Sequence, residues 1–135
     1  MILDSSLLIA GERRGQHVWD ILERVQASQG ETQSALSVIT VLELTHGIHR
    51  ARSEADAQRR SGFVEELCQA VPVQAVTLEI ARLAGKIEGQ QAARGIAIAV
   101  PDLLIGVTAL HLGFAVATIN VRHFQLIPGL SVVRL

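Results

Sequence analysis

The sequence predicts an α/β protein of one domain, residues 1–135, in which helices cover both faces of a central, mainly parallel sheet. Three observations predict it. Short apolar runs alternate with amphipathic stretches of helical length along the whole chain. Several helical stretches begin at residues suited to capping, and one stops at a glycine. Strands separated by helix-length connections pair in parallel, because a hairpin would need only a short turn. The composition agrees: 135 residues, 49% hydrophobic and 19% charged, can fill one core and lack the charge excess of disordered chains.

The elements follow in order. Met1-Ile2-Leu3 is a short apolar strand that runs into Asp4-Ser5-Ser6, a helix cap ahead of Leu7-Leu8-Ile9-Ala10. Val18, Ile21, Leu22 and Val25 give the three-and-four spacing of an amphipathic helix over 18–27. Ala35 to Ile39 is short and apolar like a buried strand, and a helix then starts at Thr40 and carries Val41, Leu44 and Ile48. Ser53 caps a further helix with Phe63, Val64 and Leu67 on one face. Val71 to Val76 is extended, with Pro72 marking an edge, and Thr77 caps a helix through Ile80, Ala84 and Ile87 that ends near Arg94-Gly95. Ile96 to Val100 is again apolar and strand-like, and Pro101 suits the first turn of a helix that stops at Gly113. Phe114 to Thr118 is a buried strand, and Ser131 to Leu135 adds a last one.

Composition bounds the function. No apolar run reaches the roughly eighteen residues of a membrane span, and the start lacks a basic region and an apolar leader, so the expected location is cytoplasmic. The single cysteine, Cys68, has no disulfide partner and reads as a small apolar filler on a helix. A formal charge of −1 argues against a strong indiscriminate grip on nucleic acid without excluding a nuclease. Every basic residue except Lys86 is arginine, and Arg13, Arg14, Arg50, Arg52, Arg59 and Arg60 fall in the first half. Such a group serves RNA phosphates or surface ion pairs with Glu12, Glu54 and Asp56 equally well.

The chemistry concentrates at the ends of the strands. Asp4, Glu43, Asp102 and Asn120 each follow an apolar strand-like run or stand in the first turn after one. In an open parallel sheet these ends form the crevice where ligands bind. Capping explains each singly: Asp4 before Ser5, a Thr40–Glu43 capping box, Asp102 at a helix start, Asn120 in a turn. Capping does not require all of them at one end of the sheet. Three converging carboxylates repel unless a cation sits between them, and magnesium or manganese, which prefer oxygen ligands, meet that need.

These residues lie in four segments that resemble the PIN-domain ribonucleases of the VapC type, toxins of bacterial toxin–antitoxin pairs. The segments are Ile2 to Ile9 with Asp4, Ser37 to Gly47 with Glu43, Pro101 to Leu110 with Asp102, and Ala117 to Phe124 followed by Ile127 to Leu130. They span the chain in the expected order. The resemblance implies a PIN-like three-layer α/β/α sandwich and a metal-dependent endoribonuclease that hydrolyses RNA phosphodiester bonds, leaving a 5′-phosphate and a 3′-hydroxyl. It implies that Asp4, Glu43 and Asp102 hold Mg²⁺ or Mn²⁺, with Asn120 at the place of a fourth acid. Ser5 or Ser6, and Thr118, match positions where a small hydroxyl orients water or a carboxylate. It also implies a homodimer and a cognate antitoxin protein laid over the crevice. The fourth segment departs from the fully acidic pattern: Asn120 is neutral and His123 stands where many relatives carry aspartate. A neutral oxygen holds a second cation less firmly, so the resemblance leaves one or two metals open.

Candidate RNA contacts are Arg13, Arg14 and His123. His46 and His49 follow Glu43 at three-residue steps along one helix, which is not the i, i+4 spacing of a zinc protease helix. They read as a helix face or a groove contact. A phosphoacceptor receiver domain needs paired acids after its first strand and a late lysine, whereas Asp4 stands alone and Lys86 lies mid-helix. The stronger rival is a catalytically weakened PIN-like module that binds RNA or protein. Leu44, Ile48, Phe63, Val64 and Leu67 offer either core or a partner surface.

Overall fold

A computed structural model describes residues 1–135, with seven helices around five short strands. The centre is β1 (Ile2–Leu3), which pairs in parallel with β4 (Val116–Thr118); β4 pairs in parallel with β5 (Val132–Arg134). On its other side β1 forms a parallel bridge, Ile2 to Ala35, with the residue that leads into β2 (Leu36–Ser37). β2 pairs in parallel with β3 (Val73–Gln74). The three-stranded and two-stranded ladders thus meet at one bridge, giving the order β3-β2-β1-β4-β5 with every pairing parallel.

Side-chain alternation along these strands divides the core in two. Leu3, Leu36 and Ala117 point to one side, where they meet α1 (Ser5–Arg13), α2 (Val18–Gln29), α3 (Val38–His49) and α4 (Glu54–Ala70) through Leu7, Val25, Leu44 and Leu67. Ile2, Ala35 and Val116 point to the other, against α5 (Leu78–Ala92), α6 (Val100–Leu112) and α7 (Val121–Phe124) through Ile87, Ile105 and Phe124. The result is the expected three layers. No helix is long and apolar enough to cross a membrane.

Several boundary signals act as the sequence predicts. Ser53 Oγ accepts the Asp56 N–H, Thr77 Oγ1 accepts the Ile80 N–H, and Gly113 ends α6 at a left-handed φ of 72°. Four readings need correction. The second strand stops at Ser37, whose Oγ accepts the Ile39 N–H at 3.1 Å, so α3 begins at Val38 instead of Thr40. Thr40 is therefore inside the first turn, and no Thr40–Glu43 capping box forms. Residues 96–100 hold no strand: all five strand positions are taken, and Val100 already belongs to α6. Phe114 and Ala115 lie outside β4, and the four-residue α7 was not anticipated.

Leu44, Phe63, Val64 and Leu67 are buried in the first core, with Ile48 packed against it, so these residues are core. Cys68 is a partly buried member of the same packing. Trp19 is on the surface, 58% exposed.

Candidate active site

The carboxyl end of β1 delivers Asp4 to the N-cap position of α1, with extended backbone (φ −78°, ψ 148°). Its side chain makes no capping bond. Instead Oδ2 accepts Ser6 Oγ at 2.5 Å and Thr118 Oγ1 at 2.8 Å. The two hydroxyls lie 3.2 Å apart, and the aspartate is 2% exposed. Thr118, the last residue of β4, also accepts the Asn120 N–H at 2.9 Å. The parallel register of β1 and β4 brings Thr118 beside Asp4 from more than a hundred residues away.

Glu43, on α3, is half-buried, and its Oε1 accepts Ser5 Oγ at 3.0 Å. Asp102, in the first turn of α6, has Oδ2 3.0 Å from His123 Nδ1. Burial pushes the Glu43 carboxyl above the ordinary carboxylate range; the Ser5 bond opposes this, and the charges of Asp4 and Asp102 add to it. Asp102 is raised chiefly by burial and then by Asp4, with His123 pulling it down. The three predicted acids therefore feel one another's charge. No arginine or lysine pairs with any of them: the ion pairs are Arg59 with Glu12 and with Asp56, and His123 with Asp102.

The acids are neighbours and not a closed cage. No three Asp, Glu, His or Cys side chains converge tightly enough to enclose an ion. Like charges in a partly desolvated crevice repel, and each carboxylate is held by its own hydroxyl or imidazole instead of closing on the others. Oxygen donors without a protein cation fit a hard divalent ion in kind, though the side chains do not enclose one as they stand.

The remaining predicted residues divide. Asn120 is exposed at the N-cap of α7 and makes no side-chain capping bond. Arg13 lines a groove beside Glu43, together with His46, while Arg14 sits exposed at the C-cap of α1 and does not line it. His49 is exposed and is not in that lining either. Arg50, Arg52 and Arg60 complete the basic wall of the groove. The chain shows these arginines only as a first-half group, and which of them share one wall is decided by the packing of α1, α3 and α4.

Comparison with known proteins agrees with this fold. The sequence profile of the PIN-domain family matches residues 1–129, and the chain belongs to the PIN-domain family. Among its curated relatives is the Ribonuclease VapC of Rickettsia bellii (strain RML369-C), 29% identical over 132 residues that cover 98% of this chain and 93% of the relative. The VapBC-1 structure from nontypeable Haemophilus influenzae is 28% identical with a TM-score of 0.78, covering 98% of this chain and 96% of that one. The DNA-bound VapBC structure from Salmonella typhimurium reaches a TM-score of 0.82 at 23% identity, with 98% and 96% coverage, and shares the fold.

Proposed function

We propose that the chain is a VapC-type toxin: an endoribonuclease dependent on Mg²⁺ or Mn²⁺ that hydrolyses RNA phosphodiester bonds and is neutralised by a cognate antitoxin. The observation that carries this is the gathering of Asp4, Glu43 and Asp102 at the carboxyl end of a parallel sheet, mutually repelling and without a lysine or arginine partner. The names of its relatives, Ribonuclease VapC and VapBC-1, support the same reading. A homodimer is part of the proposal.

Asp4, Asp102 and Glu43 would hold the ion. When bound, a divalent ion supplies a water of lowered pKa and polarises the phosphoryl oxygen. Ser6 and Thr118 both donate to Asp4 Oδ2, which fixes the buried carboxylate in one orientation. Ser5 does the same for Glu43, which would hold the ion or orient the attacking water. Water attacks phosphorus and gives up a proton, the P–O3′ bond breaks, and the departing O3′ takes a proton from solvent, so the products carry a 5′-phosphate and a 3′-hydroxyl. His123 orients Asp102, and Asn120 lends a neutral oxygen at the rim.

The test is RNA cleavage with Mn²⁺, with Mg²⁺ and with EDTA, followed by mapping of the cut ends. Asp4→Asn and Asp102→Asn are expected to lower cleavage by about 100-fold or more, since groups that merely orient metal ligands already contribute 10–100-fold. Both should remain folded and lose the thermal stabilisation that Mn²⁺ gives the unaltered protein. Full activity in either variant, or cleavage in EDTA, sinks the proposal. RNA or protein binding without turnover in the unaltered protein favours the weakened binding module.

A further inference from the structure

An open groove of about 610 Å³ lies on the α1–α3–α4 side, with Glu43 in its wall. Its other polar lining is strongly basic: Arg13, His46, Arg50, Arg52 and Arg60 against Glu43 and Asp56. Asp56 is already paired with Arg59 at 3.0 Å, and Arg59 also binds Glu12. Arg60 Nη1 is pinned to the Gly47 carbonyl at 2.7 Å. Arg13, Arg50 and Arg52 are exposed and join no ion pair, so their charge is uncompensated. A chain of formal charge −1 thus concentrates free cations along one groove that opens at a catalytic carboxylate.

We infer that this groove is a phosphate track, in which Arg13, Arg50 and Arg52 hold the backbone of a single RNA strand on one side of the scissile bond. Guanidinium forks match phosphate oxygens, and a strand cut at Asp4 and Asp102 passes Glu43 to reach them. Ile9 and Leu42 are the apolar lining of the groove itself, and the apolar cavity that adjoins it, walled by Leu44, Phe63 and Val64, does not extend to Arg50 or Arg52, so the arginine stretch offers a docked acidic peptide little to bury. Phe63 belongs to that adjoining cavity, and no Phe, Tyr or Trp lines the groove beside Arg50 and Arg52, so bases there find no stacking surface and the contact is to the backbone. Arg59 takes no part, being committed to Glu12 and Asp56.

The inference rests on the ribonuclease reading for the strand's placement, and binding is therefore measured apart from turnover. The probe is a fluorescent twelve-nucleotide oligomer, U12 or A12, titrated by anisotropy in EDTA across a range of salt. Arg50→Gln/Arg52→Gln is expected to weaken both oligomers by similar factors of about 10-fold or more. The salt dependence should become shallower by about 1.4 in log–log slope, the share of two phosphate contacts on a single strand. Arg82→Gln/Lys86→Gln, which removes the same charge from exposed positions on α5, should change affinity less than about twofold. Unchanged binding in the groove variant overturns the track, as do equal losses in the α5 control or a loss confined to one base. Weakened binding in the groove variant with no cleavage by the unaltered protein keeps the track and removes the nuclease. Cleavage by the unaltered protein with unaltered binding in the groove variant does the reverse.

Discussion

Thr118 joins more of the site than any other single side chain: it donates to Asp4 Oδ2, accepts from the Asn120 backbone, and lies against Ser6 Oγ. Thr118→Val keeps the shape and removes the donor, leaving a buried carboxylate with one hydroxyl partner fewer. Urea denaturation should show a loss of about 1–3 kcal/mol, and RNA cleavage should fall about 10–100-fold; Thr118→Ser should restore most of both. At Glu43 and Asp102 the folded state raises the carboxyl pKa, so the fold binds protons more readily than the unfolded chain. The stability this confers is complete below the ordinary values of 4.5 and 3.8 and is lost as pH rises through the raised ones. Asp102→Asn should therefore stabilise the protein in EDTA at pH 7.5, by about 1 kcal/mol or less, with the gain shrinking as the pH is lowered toward 4. Protons compete for the same oxygens, so Mn²⁺ affinity should weaken over that range. Each acid's identity and place in the chain was legible, because Asp and Glu at strand ends are unusual as a set. Their hydrogen-bond partners were legible only as candidate hydroxyl positions. Capping, the plain alternative for Asp4, fails because its carboxylate accepts the Ser6 and Thr118 hydroxyls and no backbone N–H of the helix.

At the scale of elements, α6 carries Asp102 and must lie close against the chain that follows α7. Gly106 permits this: a methyl group there would come 2.3 Å from Ile127 Cδ1 and within 3.1 Å of Leu130 Cδ2 and 3.3 Å of Phe124 Cδ1. Gly106→Ala should cost about 1–3 kcal/mol by chemical denaturation, with Ile127→Val in the same chain recovering part of it. Gly85, on exposed α5 with nothing within 4 Å of a built methyl, should respond oppositely, Gly85→Ala stabilising by about 0.5–1 kcal/mol. Ser37→Ala removes the cap of the helix that bears Glu43 and should cost about 1 kcal/mol. The helices were readable because three-and-four spacing repeats over several turns. The second strand was read too long because Val38 and Ile39 are apolar and β-branched, and a short run of that kind does not distinguish a strand from the start of a helix. α7, with four residues, is too short for periodicity to register.

Across the whole molecule, β1 is the centre on which both cores depend. Its Leu3 N–H reaches the Ala35 carbonyl at 3.0 Å, and the Asp4 N–H reaches the Ala117 carbonyl at 3.0 Å, so the site's first acid is anchored where the sheet is innermost. In native-state hydrogen exchange, Leu3 and Asp4 should be among the slowest amides, while Val73 and Gln74 at the β3 edge exchange faster. Exchange of Asp4 as fast as the edge would show that the site does not share the stability of the core. The sequence by itself determined the α/β class, most helices with their caps, and which acids to watch, because these follow from local spacing and from the chemistry of single residues. The tertiary structure alone decided that Thr118 meets Asp4, that His123 holds Asp102, and that Arg59 is spent on an ion pair while Arg13, Arg50 and Arg52 stay free. Those outcomes depend on strand register and helix packing, which bring together residues whose separation along the chain carries no record of their distance in space.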